Sequence, residues 1–258
     1  MIISPATSSH RLNRAIPGAI IVVFAIPIVV IGSMAFQDGE PNKTLLAIAA
    51  GLVALTIALV VAIGKTVVTI HAEGVRRTSV FGVTEIEWKD VREYRYRVAP
   101  IQHAGGLLGA LIIAAASRGG RGVNLFFTLV ANDGRKLKVS SNFKNASEAI
   151  GEILGRIHPA LQKKVDETID NGGAVFGDIR LSRRSVQWKN KEAIVLSDIT
   201  RAEIKSTKLS IRKKDKMFDA ISAPSHKVPN VLLLLENMEM LGVAKSTTPK
   251  IDPLARVR

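Results

Sequence analysis

Two stretches, Ala15 to Phe36 and Leu45 to Ile63, run without a charged side chain. Each is about 20 residues long, and at ~1.5 Å of rise per residue a helix of that length covers the ~30 Å of hydrocarbon in a bilayer. No other feature narrows the fold as much, because in lipid such a run satisfies its own backbone only as a helix. The "QDGEPNK" linker between the runs is short and holds Gly39 and Pro41. This predicts a two-helix transmembrane hairpin over residues 15–64. Pro17 falls at the start of the first helix, where its missing N–H costs little, whereas Pro27 lies inside it and predicts a kink. A cleaved leader is the competing expectation for the first run, since Arg11 and Arg14 precede it. The run is longer than the ~7 to 15 apolar residues of a signal core, and a second run follows at once.

Charge orients the hairpin. The chain of 258 residues carries a formal net charge of +14, yet before residue 65 its only basic side chains are Arg11, Arg14 and Lys43. Arg11 and Arg14 precede the first crossing, Lys65, Arg76 and Arg77 follow the second, and Asp38 and Glu40 stand between them. The positive-inside rule therefore expects an integral protein with two crossings and both termini cytoplasmic, with residues 1–14 as a cytoplasmic N-terminal segment. The chain has no cysteine, which excludes disulfides, zinc–thiolate sites and thiol nucleophiles. "AIGKTVV" at the end of the second run is not a phosphate-binding loop, because Leu59 stands where that loop requires glycine.

From Thr66 the apolar pattern turns from continuous to alternating, as half-buried strands require. In "REYRYRV", Tyr94, Tyr96 and Val98 line one face and Arg95 and Arg97 the other. "VNLFFTLVANDGRKLKVSS" reads as two strands about a turn at Asn132-Asp133-Gly134. Helical spacing then takes over. Ile150, Ile153, Leu154 and Ile157 follow a cap expected at Asn145, Pro159 is expected to break or restart the helix, and Leu161, Val165 and Ile169 continue the stripe. A second, smaller copy of the plan follows over 172–242, closed by a helix with Val231, Leu234, Leu235 and Met238 on one face. Trp88-Lys89-Asp90-Val91 in the first copy corresponds to Leu196-Ser197-Asp198-Ile199 in the second. The first domain spans 65–171 and carries an apolar insert at 104–117. The basic tail 243–258, with Pro249 and Pro253, is expected to be disordered.

Strands, a W-x-D-[IV] junction, more strands and a closing helix resemble the bacterial pleckstrin-homology-like (PH-like) domains of small membrane proteins. The second copy, with Phe176-Gly177-Asp178-Ile179, Leu209-Ser210-Ile211-Arg212-Lys213 and Val228-Pro229-Asn230, is similar to an uncharacterised domain-of-unknown-function family. The resemblance covers roughly residues 66 to 242. It implies a membrane-anchored α+β chain: an N-terminal transmembrane helical hairpin followed by tandem PH-like antiparallel β domains, each closed by a C-terminal helix. It implies location in a bacterial inner membrane, and it implies no catalytic residue.

The residues point the same way. His10, His71, His103, His158 and His226 have no ligand spacing, so neither a metal nor another cofactor is expected. Asp90 and Asp198 suit turn capping better than an acid pair, and no nucleophile or dinucleotide motif is present. With aromatic content at 5% there is no stacking platform for nucleic acid. The basic side chains Lys65, Arg76, Arg77, Arg118, Arg121, Arg212, Lys213, Lys214 and Lys216 are candidate contacts to anionic lipid, each contributing about 1 kcal/mol when well placed at a charged leaflet. The expected function is a non-enzymatic adaptor or assembly module that contacts anionic head groups or a protein partner. Two alternatives are an accessory subunit or enzyme acting on lipid at the interface and an oligomeric scaffold.

The insert at 104–117 is about 14 residues long, too short to span and of a length that suits a buried or interfacial segment. It is expected to be a helix that dips into the membrane, with Arg118 and Arg121 at its exit touching head groups. Packing against the protein's own sheet or hairpin is the rival expectation.

Overall fold

The computed structural model describes residues 5–12, 15–36, 41–100, 123–205 and 207–243. The insert at 104–117, Arg118, Arg121 and the tail beyond Val243 lie outside the described residues.

Helix α1 (Ala15–Met34) runs through Pro27, and α2 (Lys43–Gly64) lies beside it. Asn42 caps α2, its side-chain oxygen accepting from the Thr44 and Leu45 N–H groups at 3.1 and 3.3 Å. Its own N–H donates to the Ala35 carbonyl at 2.9 Å, which joins the helices at this end. Among the described residues α2 is the one helix long and apolar enough to cross a membrane, while α1 offers a shorter apolar stretch, Ile20–Met34. Most aliphatic side chains of both helices point outward, including Ile26, Val29, Ile48 and Ile57.

The other end of the pair is held by β-structure that the alternation rule does not reveal. Strand β1 (Ala6–Arg11) precedes α1 and β2 (Val67–His71) follows α2, and the two pair antiparallel with Arg11 opposite Val67. Part of the N-terminal segment 1–14 is therefore an edge strand of the first unit's sheet. Strands β3 (Gly74–Ser79) and β4 (Gly82–Glu87) complete a four-stranded sheet in the order β1-β2-β3-β4. A 3-10 turn, Trp88–Asp90, leads into a second sheet of β5 (Val91–Pro100), β6 (Val123–Ala131) and β7 (Lys136–Ser140). Helix α3 (Ala146–Ile169) closes the unit.

Pro159 neither breaks nor restarts α3. A proline inside a helix costs about 3 kcal/mol, but seven aliphatic side chains on both sides of it, from Ile150 to Ile169, are buried along one stripe. Their burial, worth ~1.5–3 kcal/mol each, outweighs the lost bond. Asn145 does stand at the N-cap, though in the left-handed region (φ 57°) and with no side-chain capping bond.

The second unit repeats the order. Strands β8 (Ala174–Phe176), β9 (Ile179–Leu181), β10 (Ser185–Trp188) and β11 (Ile194–Val195) form a four-stranded sheet. The 3-10 turn Leu196–Asp198 follows, then a sheet of β12 (Ile199–Lys205), β13 (Lys208–Lys213) and β14 (Asp219–Pro224), and helix α4 (Val231–Met240).

The proposed alignment of Trp88–Val91 with Leu196–Ile199 is reproduced bond for bond. Trp88 N–H donates to Glu73 and Leu196 N–H to Arg184, both at 2.9 Å, and the Asp90 and Asp198 carbonyls accept from Asn132 and Lys214. Both closing helices are entered through a left-handed asparagine, Asn145 and Asn230. Where the first unit carries α1 and α2, between β1 and β2, the second has only Gly177 and Asp178 between β8 and β9.

Side chains from both units form a single hydrophobic core. Tyr94, Tyr96 and Val98 are buried on one face of β5, as the alternation predicts.

Candidate functional site

The predicted basic residues fall into three places. Lys65 is the C-cap of α2, its N–H donating to the Val61 and Ile63 carbonyls. Arg76 lies on the outer face of the first sheet and is paired with Glu85, the residue directly opposite on β4. Arg77 shares the inner face with Val75 and stands opposite Val68, and its buried Nε has no hydrogen-bond partner.

The second-unit residues gather on the β13–β14 turn. Arg212 faces Asp219 at 3.6 Å and Lys213 reaches Asp198 at 3.6 Å, and among the described residues Lys214 and Lys216 carry no ion pair. Beside them Met217 and Phe218 are exposed. The structure thus does not bring all the candidates to one site. Lys65, Arg76 and Arg77 belong to the first unit's four-stranded sheet and its helix exit, and the 212–216 group belongs to another sheet.

Register adds two cations to the helix exit. Arg11 is opposite Val67, and the Lys144 N–H donates to the Arg11 carbonyl at 2.8 Å, with Leu12 bridged to Phe143. Lys144 carries no sequence signal for this position, because it comes from the loop before α3.

A second basic concavity, of about 520 Å³, lies where α3 ends against the second unit. Ile169, Asp170, Gly172 and Gly173 form one wall, and Arg180, Arg183, Arg184, Ser182, Ser185 and Gln187 the other. Arg183 grips Asp170 through two hydrogen bonds, which holds the carboxyl below its ordinary range and raises the guanidinium. Among the described residues Arg180 and Arg184 make no side-chain hydrogen bond or ion pair, so the cleft carries excess positive charge and attracts anions. The Ser182 and Ser185 hydroxyls bond each other at 3.0 Å, and no imidazole or carboxylate activates either.

The units are tied by polar contacts in an otherwise apolar junction. Tyr94 OH accepts from Leu233 N–H at 3.1 Å and lies 2.9 Å from His158 Nε2. The other ring nitrogen of His158, Nδ1, stands 3.5 Å from the Glu236 carboxylate. Burial pushes the Tyr94 phenol well above its ordinary range. Gln162 and Asn237 exchange two amide hydrogen bonds, each 2.9 Å. Asp90 and Asp198 occupy equivalent positions in separate units, each the last residue of its 3-10 turn. Among the described residues no three His, Asp or Glu side chains gather as metal ligands.

These features define an α+β chain of two repeated units, with an apolar helix pair inserted in the first and basic groups on turns and in a cleft. Residues 117–247, just over half of the chain, match a family of unknown function, DUF6585, and the chain belongs to that family. The match takes in the second unit and, from the first, β6, β7 and α3. No curated protein matches the chain.

Proposed function

We propose that this protein is a membrane-anchored adaptor or assembly module of the bacterial inner membrane and not an enzyme. Helices α1 and α2 cross as a hairpin, and two PH-like units lie on the cytoplasmic side with basic surfaces toward anionic head groups or a protein partner. The observation that carries the reading is the pairing of Arg11 with Val67. The two flanks of the helix pair are neighbours in one sheet, so they share one side of a membrane, and the pair crosses it twice or not at all. Outward-pointing aliphatic side chains along both helices favour two crossings. Because the β1 and β2 flanks carry Arg11 and Lys65, the positive-inside rule assigns that side to the cytoplasm.

The PH-like assignment is supported by the element order, four strands, a 3-10 turn, three strands and a helix, which occurs twice. The non-enzymatic reading is supported by a core filled with aliphatic and aromatic side chains.

Single-cysteine labelling of the full-length protein tests this, since the native chain has no cysteine. Ser9→Cys and Val175→Cys should react with an impermeant reagent only from the cytoplasmic side, and Asp38→Cys only from the opposite side. Release of the protein by alkaline carbonate, or labelling of Ser9→Cys and Val175→Cys from opposite sides, would refute the reading.

A further inference from the structure

The turn between β3 and β4 stands at the end of the sheet where the helices arrive. Thr78 is opposite Val67 and Ser79 is opposite Gly82, so Val80 and Phe81 form the hairpin tip. Only Lys65 and Thr66 separate Val67 from Gly64, the last residue of α2, so the tip lies at the end of the sheet from which α2 arrives. Phe81 is 96% exposed, more than any other large apolar side chain described, and Val80 and Val83 flank it at 45% and 59%. Gly82 has φ +119°, a conformation that favours glycine, and the Ser79 hydroxyl donates to its carbonyl at 3.2 Å, so the tip has a defined shape. The backbones of Lys65, Arg11 and Lys144 meet at the same exit. An apolar tip with a collar of cations matches the two layers of an anionic leaflet, acyl chains within and charged head groups above.

We propose that the Val80–Val83 turn is an interfacial wedge. Phe81 enters the leaflet from which α2 emerges, while Lys65, Arg11 and Lys144 engage anionic lipid phosphates, so the first unit is held against the membrane at a fixed tilt. This rests on the reading that α1 and α2 cross the membrane, and the test keeps the two separate.

In full-length protein reconstituted into vesicles of phosphatidylcholine mixed with phosphatidylglycerol, spin labels are placed at Phe81→Cys, at Ile57→Cys on α2, and at Val175→Cys on the outer face of β8. The expected result is that the labels at 81 and 57 collide freely with oxygen and show several-fold lower access to a polar nickel reagent than the label at 175. Nickel access at 81 equal to that at 175, with 57 still shielded, overturns the wedge and leaves the anchor standing. Shielding of 81 from both reagents overturns it in favour of a protein partner. Nickel access at 57 removes the anchor and the wedge together.

Discussion

Asn230 and Tyr94 exchange two hydrogen bonds of 2.8 Å: the Asn230 N–H donates to the Tyr94 carbonyl, and the Tyr94 N–H donates to the Asn230 side-chain oxygen. One residue of the second unit thereby serves as a strand partner for β5 of the first while holding a left-handed φ of 50°. Asn230→Ala removes the acceptor and puts at this left-handed φ a residue that tolerates it less well than asparagine. It should destabilise the protein by about 2–4 kcal/mol, from an unsatisfied buried N–H and left-handed strain together. Asn230→Gly keeps the backbone and should cost less. At Asn145, with φ 57° and no side-chain capping bond, glycine should be near neutral. Thermal unfolding of the three variants in detergent gives the order.

Tyr94→Phe leaves the Leu233 N–H and His158 Nε2 without their shared hydroxyl and should cost about 1–3 kcal/mol. The buried phenol is held protonated above its ordinary range. As pH rises through about 10, the unfolded chain loses this proton and the folded chain does not. Stability that is complete below that pH should fall above it, and the fall should be smaller in Tyr94→Phe. Equilibrium unfolding across alkaline pH checks the difference.

His226 behaves in the opposite sense. Burial, then the charges of Arg97, Lys227 and Arg95, lower its pKa, so the folded imidazole resists a proton that the unfolded chain accepts near pH ~6.5. Its contribution is present above that pH and declines as acid is added. His226→Gln should show a shallower loss of stability between neutral and mildly acidic pH, measured as unfolding midpoints.

Gly173 has φ +96°, and an added Cβ would stand 2.9 Å from both Arg180 Cγ and the Leu181 carbonyl. Gly173→Ala should therefore lower the melting temperature more than Gly134→Ala, which has φ +87° but open space around it. It should also displace Arg180 from the cleft. Comparing the two variants separates backbone strain from crowding.

The exposed Met217 and Phe218 flanked by Lys213, Lys214 and Lys216 predict a charge-dependent contact at the second unit. Reversing the three lysines to glutamate in the full-length protein should shift an environment-sensitive fluorophore at Phe218→Cys toward aqueous emission in anionic vesicles. In neutral vesicles the reversal should change nothing. Equal emission in both lipids for the native turn would count against lipid contact there.

Much of this was legible in the residues. Period changes located β5, β6, β7 and both closing helices, and the Trp88/Leu196 correspondence placed the repeat. Other features were not local properties of the chain. Ala6 to Arg11 is polar, with only His10 buried, and it becomes a strand because β2 offers an open edge. The continuity of α3 through Pro159 depends on a stripe whose burial the proline cannot reveal. Arg76 and Arg77 read alike as basic neighbours, yet alternation sends one to a carboxylate on the outer face and the other beneath the sheet. Lys144 reaches the helix exit through its N–H to the Arg11 carbonyl and the neighbouring bridge between Leu12 and Phe143.

The equivalence of α1–α2 with the Gly177–Asp178 turn bears on how the chain is made. During synthesis β1 leaves the ribosome first and finds no neighbour until the whole helix pair has followed, so the first sheet closes only after the helices have folded back on each other. Any failure of the pair to pack leaves an orphaned edge strand. Conversely, a chain in which a Gly-Asp turn replaces the helices would make β1 and β2 an ordinary local hairpin, as β8 and β9 already are.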